Sequence, residues 1–197
     1  MQIDQLSMIR EYIRLLLKWN QSISLTTVTD TDEILSRHFG ESMFAAKMTP
    51  VENCRLADVG TGPGFPGLPL KILRPSLKLT LIESNKKKCA FLREVATELR
   101  LNEVEVLPER FEQLRPEGLA FDLVSARALG EFKELLRWSE NALAPGGKLL
   151  LWLGAEDATR MAAIHTWLWE PAIKIPDSQR RFLLIGRPYA KMRSELP

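Results

Sequence analysis

Asp58-Val59-Gly60-Thr61-Gly62-Pro63-Gly64-Phe65-Pro66-Gly67 is the stretch whose reading decides the fold. It begins inside the short strand-like run Leu56-Ala57-Asp58-Val59 and runs into a helix-like stretch over residues 65–73, so it reads as strand, glycine loop, helix. In an open α/β sheet that junction borders a crevice at the carboxyl ends of the strands, where ligands bind. Glycine at Gly60, Gly62 and Gly64 admits positive φ and close approach of backbone to a ligand. The following helix start offers free N–H groups to an anion.

Outward from the loop the alternation repeats. Residues 78–83, 104–107, 121–126 and 147–153 read as short buried strands, separated by helical stretches at 85–100, 111–114 and 131–143. Strand–helix alternation of this kind needs crossover connections and therefore a parallel sheet, an α/β doubly wound pattern. After Gly154 another helix is expected to about Trp167. Residues 172–175 and 181–186 then flank Pro176-Asp177-Ser178-Gln179 as a closing hairpin. Before the loop, Leu6, Ile9, Ile13, Leu16 and Leu17 recur at helical spacing. Asp30 to Glu33 opens a second helix through Ile34, His38, Phe39 and Phe44, which Pro50 ends. The expected organisation is a helical extension over 1–50 packed on one globular unit over 51–197.

The chain has 197 residues, 45% apolar and 26% charged, the balance of a globular protein rather than a disordered one. Its 27 basic and 25 acidic side chains leave a net charge of only +2, which by itself identifies no nucleic-acid partner. The two cysteines, Cys54 and Cys89, lack ligand spacing, so neither a disulfide scaffold nor a metal site is expected. Charged residues interrupt the N-terminal apolar positions, and no apolar run approaches a membrane span, so a cytosolic, cytoplasmic protein is expected.

Within the loop, 62–67 matches G-x-G-x-x-G, which keeps a nicotinamide or flavin cofactor open as a reading. However, the match starts two residues after the strand-ending glycine, and Asp58 just ahead of it suits a cationic group better than a pyrophosphate. An acid beside an anion site fits a zwitterion. S-Adenosylmethionine is one: its carboxylate suits the loop amides at Gly60, Thr61, Gly62 and Gly64, and its ammonium suits Asp58. Glu83, 25 positions on at the end of the second strand, suits the ribose hydroxyls. Methyl transfer is the leading class.

At these residues the chain resembles a known family, the bacterial 16S ribosomal RNA guanine-N7 methyltransferase G proteins, also called glucose-inhibited division protein B. Carrying the resemblance are Tyr12-x-x-Leu15-Leu16-x-x-Trp19-Asn20, Leu25-Thr26, Arg37-His38 followed by Ser42, and the loop from Asp58 to Leu70. Glu83-Ser84-Asn85-x-Lys87-Lys88, Ser125-Ala126-Arg127-Ala128 and Pro145-Gly146-Gly147 complete it. The resemblance implies a class I, Rossmann-like methyltransferase fold, a mostly parallel seven-stranded sheet with an antiparallel C-terminal hairpin, and methylation of one guanine of 16S RNA. It also implies cofactor contacts at Gly60, Phe65, Phe111, Glu112 and Arg127. Two departures stand out. Glu41 occupies a position where the family usually has Asp, and Leu153-Gly154 stands where it usually has Lys-Gly, leaving Lys148 or Arg160 as candidate replacements for the missing cation.

Guanine N7 carries an in-plane lone pair and no proton, so its methylation needs orientation and desolvation more than a general base. Arg127 is the candidate for positioning. RNA must be gripped by its phosphates, and basic residues do cluster: Lys86, Lys87 and Lys88 with Arg93 and Arg100, and Lys174, Arg180, Arg181, Arg187, Lys191 and Arg193 near the C-terminus. Arg37 and His38 are read as closing the cofactor pocket or meeting RNA. Trp167 and Trp169 are expected to pack rather than stack on bases. The expected partner is 16S RNA or the small ribosomal subunit, acted on by a monomer without metal. A small-molecule methyltransferase, or a cofactor-binding RNA module with reduced turnover, remains the alternative.

Overall fold

The computed structural model describes residues 3–127, 130, 132–178 and 180–192. Ala128, Gln179 and Arg193, which the sequence reading used, lie outside the described residues.

Strand alternation produces one sheet with two apolar faces. The strands are β1 (Arg55–Val59), β2 (Lys78–Ile82), β3 (Val104–Leu107), β4 (Phe121–Arg127), β5 (Leu143–Gly154), β6 (Trp167–Trp169), β7 (Ile173–Lys174) and β8 (Arg181–Pro188). Their order is β3-β2-β1-β4-β5-β8-β6, with β7 paired to β8 off that path. β1 to β5 run parallel, and β8 returns antiparallel against β5. Strand order reverses between β1 and β4, so the crevice for a ligand opens at their carboxyl ends, where Gly60 and Arg127 stand.

Alternate residues of each strand feed opposite cores. Leu56, Leu79, Leu81, Leu123, Leu150, Trp152, Leu183 and Ile185 pack with Ile9, Tyr12, Ile13 and Leu16 of α1 (Ile3–Asn20). Leu68 and Leu70 of α4 (Gly67–Leu73) and Phe91, Leu92 and Val95 of α5 (Lys86–Glu98) join them. Val59, Ile82, Val124, Leu149, Leu151 and Leu153 meet α6 (Phe132–Ala142) and α7 (Ala155–Ala162) on the other face. This is the period-2 pattern of strands covered on both sides.

Three details differ from the sequence-based expectation. The sheet has eight strands where the resemblance implies seven. The helix after Gly154 ends at Ala162, and Trp167–Trp169 is a strand paired to β8, its rings stacked 5.4 Å apart. Three residues are too short for periodicity to reveal. The helix opened by Asp30, whose carboxylate caps Glu33 N–H, is α2 (Thr31–Glu33), a π-helical stretch (Ile34–Gly40) and α3 (Glu41–Met48) in succession. The wider π turn carries Arg37 and His38, and such turns recur at functional sites.

Candidate active site

The glycine loop is held by its own bonds. Asp58 is fully buried; it accepts from Thr61 Oγ1, from Gly67 N at 2.9 Å and from Ser125 Oγ at 2.8 Å. Burial pushes its carboxyl up to about 6, against the pull of these donors. Three donors converging on one carboxylate make it a brace for the loop. The amides of Gly60 and Thr61 donate to Ile82 O, that of Gly62 to Glu83 Oε2 at 3.0 Å, and those of Gly64 and Phe65 to Thr61 O. Loop amides thought to face an anion are thus engaged inside the protein.

The glycines divide by what lies beside them. A side chain at Gly64 would collide with Tyr12 Oη and Leu68, and one at Gly67 with Leu81 and Asp58, so these two permit packing. At Gly62, with φ +58°, a Cβ would meet nothing, and the backbone there lies open to the crevice. Tyr12 is fully buried, donates to Pro63 O and stacks on Phe65 with centroids 5.4 Å apart. Tyr12 is a site residue that motif and spacing did not single out as one; its signal in the sequence is a polar tip on the buried stripe of α1.

The N-terminal motifs form a relay of contacts onto the same loop. Asn20 Nδ2 donates to Thr26 O, and Asn20 Oδ1 accepts from Leu25 N and Thr26 N. Thr26 Oγ1 lies 2.9 Å from His38 Nε2, and the His38 ring stacks on Phe65 at 4.7 Å. Burial, with Arg127 and Arg37 adding to it, lowers the His38 pKa to about 4, so the ring is neutral at pH 7. His38 is therefore part of the loop's support rather than a cation on the surface.

Two cavities open at this edge of the sheet. The first, about 260 Å³, is lined by Gly60, Ile82, Glu83, Ser84, Glu109, Arg110, Phe111 and Glu112. Glu83 stands at the end of β2, largely buried, accepting from Gly62 N and from Asn85 N at 2.8 Å. Phe111 opens a single 3₁₀ turn (Phe111–Gln113) and packs edge-on against Trp138. The second cavity, about 670 Å³, is lined by Glu33, Ser36, Arg37, Glu41, Gly154, Asp177, Ser178, Arg180 and Arg181.

Arg127 and Glu41 stand between the loop and the second cavity. Arg127 Nη2 donates to Glu41 Oε2 at 2.8 Å and to Arg37 O at 2.9 Å, with the two side chains 11% and 6% exposed. Trp152 Nε1 fixes the backbone of Glu41 from below at 2.8 Å. Arg127 Nη1 is buried with no partner among the described residues, and so is His38 Nδ1. An unpartnered guanidinium nitrogen beside a glycine loop fits an incoming carboxylate, and Glu83 beside the first cavity fits vicinal hydroxyls. The residues present therefore fit a nucleoside-linked amino acid.

The candidate RNA contacts fall in two places. Lys86, Lys87 and Lys88 make the first turn of α5, where Asn85 caps the amides of Lys87 and Lys88. Arg37, Arg180 and Arg181 line the second cavity. Lys148 and Arg160, expected as replacements for a missing lysine, are engaged elsewhere: Lys148 pairs with Glu170 at 2.9 Å, and Arg160 pairs with Asp157. Arg181 instead lies directly across the sheet from Gly154, while Leu153 is buried in the core. Cys89 is buried with its thiol donating to Glu83 O, a packing role. Among the described residues there is no metal-ligand cluster and no helix long and apolar enough to cross a membrane.

A glycine loop at the reversal of a mostly parallel sheet, an acid ending β2 and an antiparallel β8 define a class I S-adenosylmethionine-dependent methyltransferase. A methyltransferase of that kind from Aquifex aeolicus superposes with a TM-score of 0.66 at 16% identity, covering 80% of this chain and 93% of that one. Residues 5–168 match the family model described as rRNA small subunit methyltransferase G. A ribosomal RNA small subunit methyltransferase G from Carboxydothermus hydrogenoformans is 39% identical over 154 residues, 77% of this chain and 66% of that protein, so the match spans just under two thirds of this relative. One from Xanthomonas oryzae is 40% identical over 181 residues, 89% of this chain and 84% of that protein. The chain belongs to the rRNA small subunit methyltransferase G family, and S-adenosylmethionine is its cofactor.

Proposed function

We propose that this chain methylates N7 of a guanine in 16S ribosomal RNA within the small ribosomal subunit, in the cytoplasm. The observation that carries this reading is a pair of cavities at the carboxyl edge of the sheet: an acidic one lined by Glu83, and one rimmed by Arg37, Arg180 and Arg181. The first suits the cofactor and the second an RNA strand.

When bound, S-adenosylmethionine supplies an electrophilic methyl group on sulfur. Glu83 would hold the ribose hydroxyls, and Phe111 and Glu112 would line the adenine side. Gly60, Thr61, Gly62 and Phe65 would border the amino-acid portion, and the unpartnered Arg127 Nη1 would meet its carboxylate. Asp58 and Gly64 act one step back, by holding the loop in shape.

N7 attacks through a lone pair that bears no proton, so the chain's residues orient and dry the site rather than remove a proton. Positive charge develops on the purine, and a cation close to N7 would oppose it. His38, neutral at pH 7, adds no such charge. RNA is held at a distance from the reacting atom. Three lysines in the first turn of α5 oppose the helix dipole, an arrangement that stability does not favour and phosphate binding does.

The test is transfer of labelled methyl from S-adenosylmethionine to small subunits carrying unmethylated 16S RNA, with the product nucleotide mapped. A single N7-methylguanine is expected. Label on another atom, on another RNA, or only on small metabolites overturns the reading.

A further inference from the structure

The second cavity holds a carboxylate that RNA grip does not need. Arginines bind phosphate, and an acid among them weakens that binding. Yet Glu41 lines the cavity at 5% exposure, at the start of α3, its backbone pinned by Trp152. Among the hydrogen bonds of the described residues, only Arg127 bonds this carboxylate, through Oε2. The other acids of the cavity are placed differently. Glu33 is exposed and paired with Arg37, and Asp177 lies exposed in the turn before β8. Glu41 alone among them is buried against Arg127, whose charge also reaches Asp58 under the glycine loop.

A half-satisfied, buried carboxylate facing a cavity of about 670 Å³ is a reading head for adjacent N–H donors. Guanine has such donors on one edge, N1–H and the N2 amine. Adenine presents a lone pair at N1 and no amine at C2, so its edge would set lone pairs against the carboxylate. N7 lies on a different edge of the purine, so a base held by N1 and N2 leaves N7 free to face the methyl donor. The cavity is also large enough for a nucleotide, within the range of roughly 300–1,000 Å³ typical of small-ligand sites.

We propose that Glu41 is the specificity-determining residue for the acceptor, its carboxylate accepting from N1–H and the N2 amine of the target guanine in the Arg37–Arg181 cavity, an inference that rests on the guanine-N7 reading. Arg127 positions that carboxylate through the ion pair. The side chain takes no part in bond making; its effect is on which base is seated and how it is turned.

The experiment compares small subunits reconstituted with guanosine or inosine at the mapped methylated nucleotide. Inosine keeps N1–H and N7 and lacks only the N2 amine. With wild-type protein, inosine is expected to lower kcat/KM about tenfold, the effect of one charge-assisted hydrogen bond. With Glu41→Gln the guanosine rate falls, and the inosine penalty shrinks to about twofold or less, because the carboxylate that read the amine is gone. S-Adenosylhomocysteine affinity reports whether the variant keeps its fold. If Gln at this position disrupts folding, Glu41→Met carries the same comparison: a side chain of similar length without a carboxylate leaves the amine unread. Equal rates on guanosine and inosine with wild-type protein, or the same penalty in wild type and variants, overturn the proposal. Absence of methylation on guanosine itself strikes instead at the guanine-N7 reading beneath it.

Discussion

The two cavities at the carboxyl edge of the sheet are built by opposite means. The first, over β1, β2 and β3, is made almost wholly of local sequence: a loop bonded to itself and to Asp58, an acid ending β2, a 3₁₀ turn following β3. The second is assembled from distant pieces, with the π turn after α2, the end of β5 and the start of β8 meeting around it. A site of the first kind can be read from a motif. A site of the second kind needs the fold. Arg127 lines neither cavity; it reaches the second through Glu41, which Nη2 binds, and leaves Nη1 unpartnered among the described residues.

The sharpest way to break this division is to remove Arg127 itself. Arg127→Met leaves Glu41 buried without its cation, and an orphaned buried charge costs about 3–5 kcal/mol. The expected result is a chain destabilised by that order in urea titration, with S-adenosylhomocysteine binding and methyl transfer both lost. Retention of full cofactor affinity would contradict the assignment of Nη1. Lysine at this position restores the charge but not the forked geometry, and is expected to recover little.

A smaller effect tests which residue supplies the cation at the end of β5. Leu153 is 4% exposed and packs with Leu149, Leu151 and Ala158, so Leu153→Lys buries an ammonium in an apolar face. The expected outcome is a loss of about 2–4 kcal/mol in stability with no gain in RNA methylation. A clear gain in activity without destabilisation would show that the strand end opens to RNA, and that Arg181 across from Gly154 does not serve there.

A third prediction concerns pH. His38 titrates at about 4 in the folded chain against about 6.5 unfolded, so the unfolded chain binds more protons between those values. Stability from His38 is full above pH 6.5 and falls as pH drops through 4. Asp58 runs the other way: raised to about 6 from an ordinary value near 3.8, it contributes stability at low pH that is lost as pH rises through 6. The two slopes oppose each other in wild-type protein. His38→Gln removes one of them, so its stability relative to wild type is expected to improve by about 2–3 kcal/mol on going from pH 7 to pH 4. Equal pH dependence in both proteins would place the His38 ring in water.

Much of this was legible beforehand for physical reasons. Buried strands and amphipathic helices leave periodic signatures, and the glycine loop is local, so β1 to β5, a closing hairpin that includes β8 and the position of Glu83 at the end of β2 followed from the residues, while Phe111 and Arg127 were pointed to by the family resemblance. The three-residue strand Trp167–Trp169 left no period to read. That the loop amides bond internally, with Asp58 as their brace, depends on φ values at Gly60, Gly62 and Gly64 that composition permits but does not dictate. The Glu41–Arg127 pair joins residues 86 positions apart, and no spacing rule reaches that far. Nor does any pattern announce that Tyr12 and His38 converge on Phe65, with Thr26 holding His38; the motif Trp19-Asn20 hints only that the turn after α1 is fixed.

The most direct measurement is a pair of affinities on two variants, one in each cavity. S-Adenosylhomocysteine and unmethylated small subunits are titrated into Glu83→Gln and Arg181→Ala at fixed salt. The account predicts that Glu83→Gln weakens cofactor binding about tenfold or more and leaves subunit binding within about twofold. Arg181→Ala should do the reverse, weakening subunit binding and flattening its salt dependence by about one phosphate contact. Loss of both affinities in both variants, or of cofactor affinity in Arg181→Ala, would contradict two separate sites.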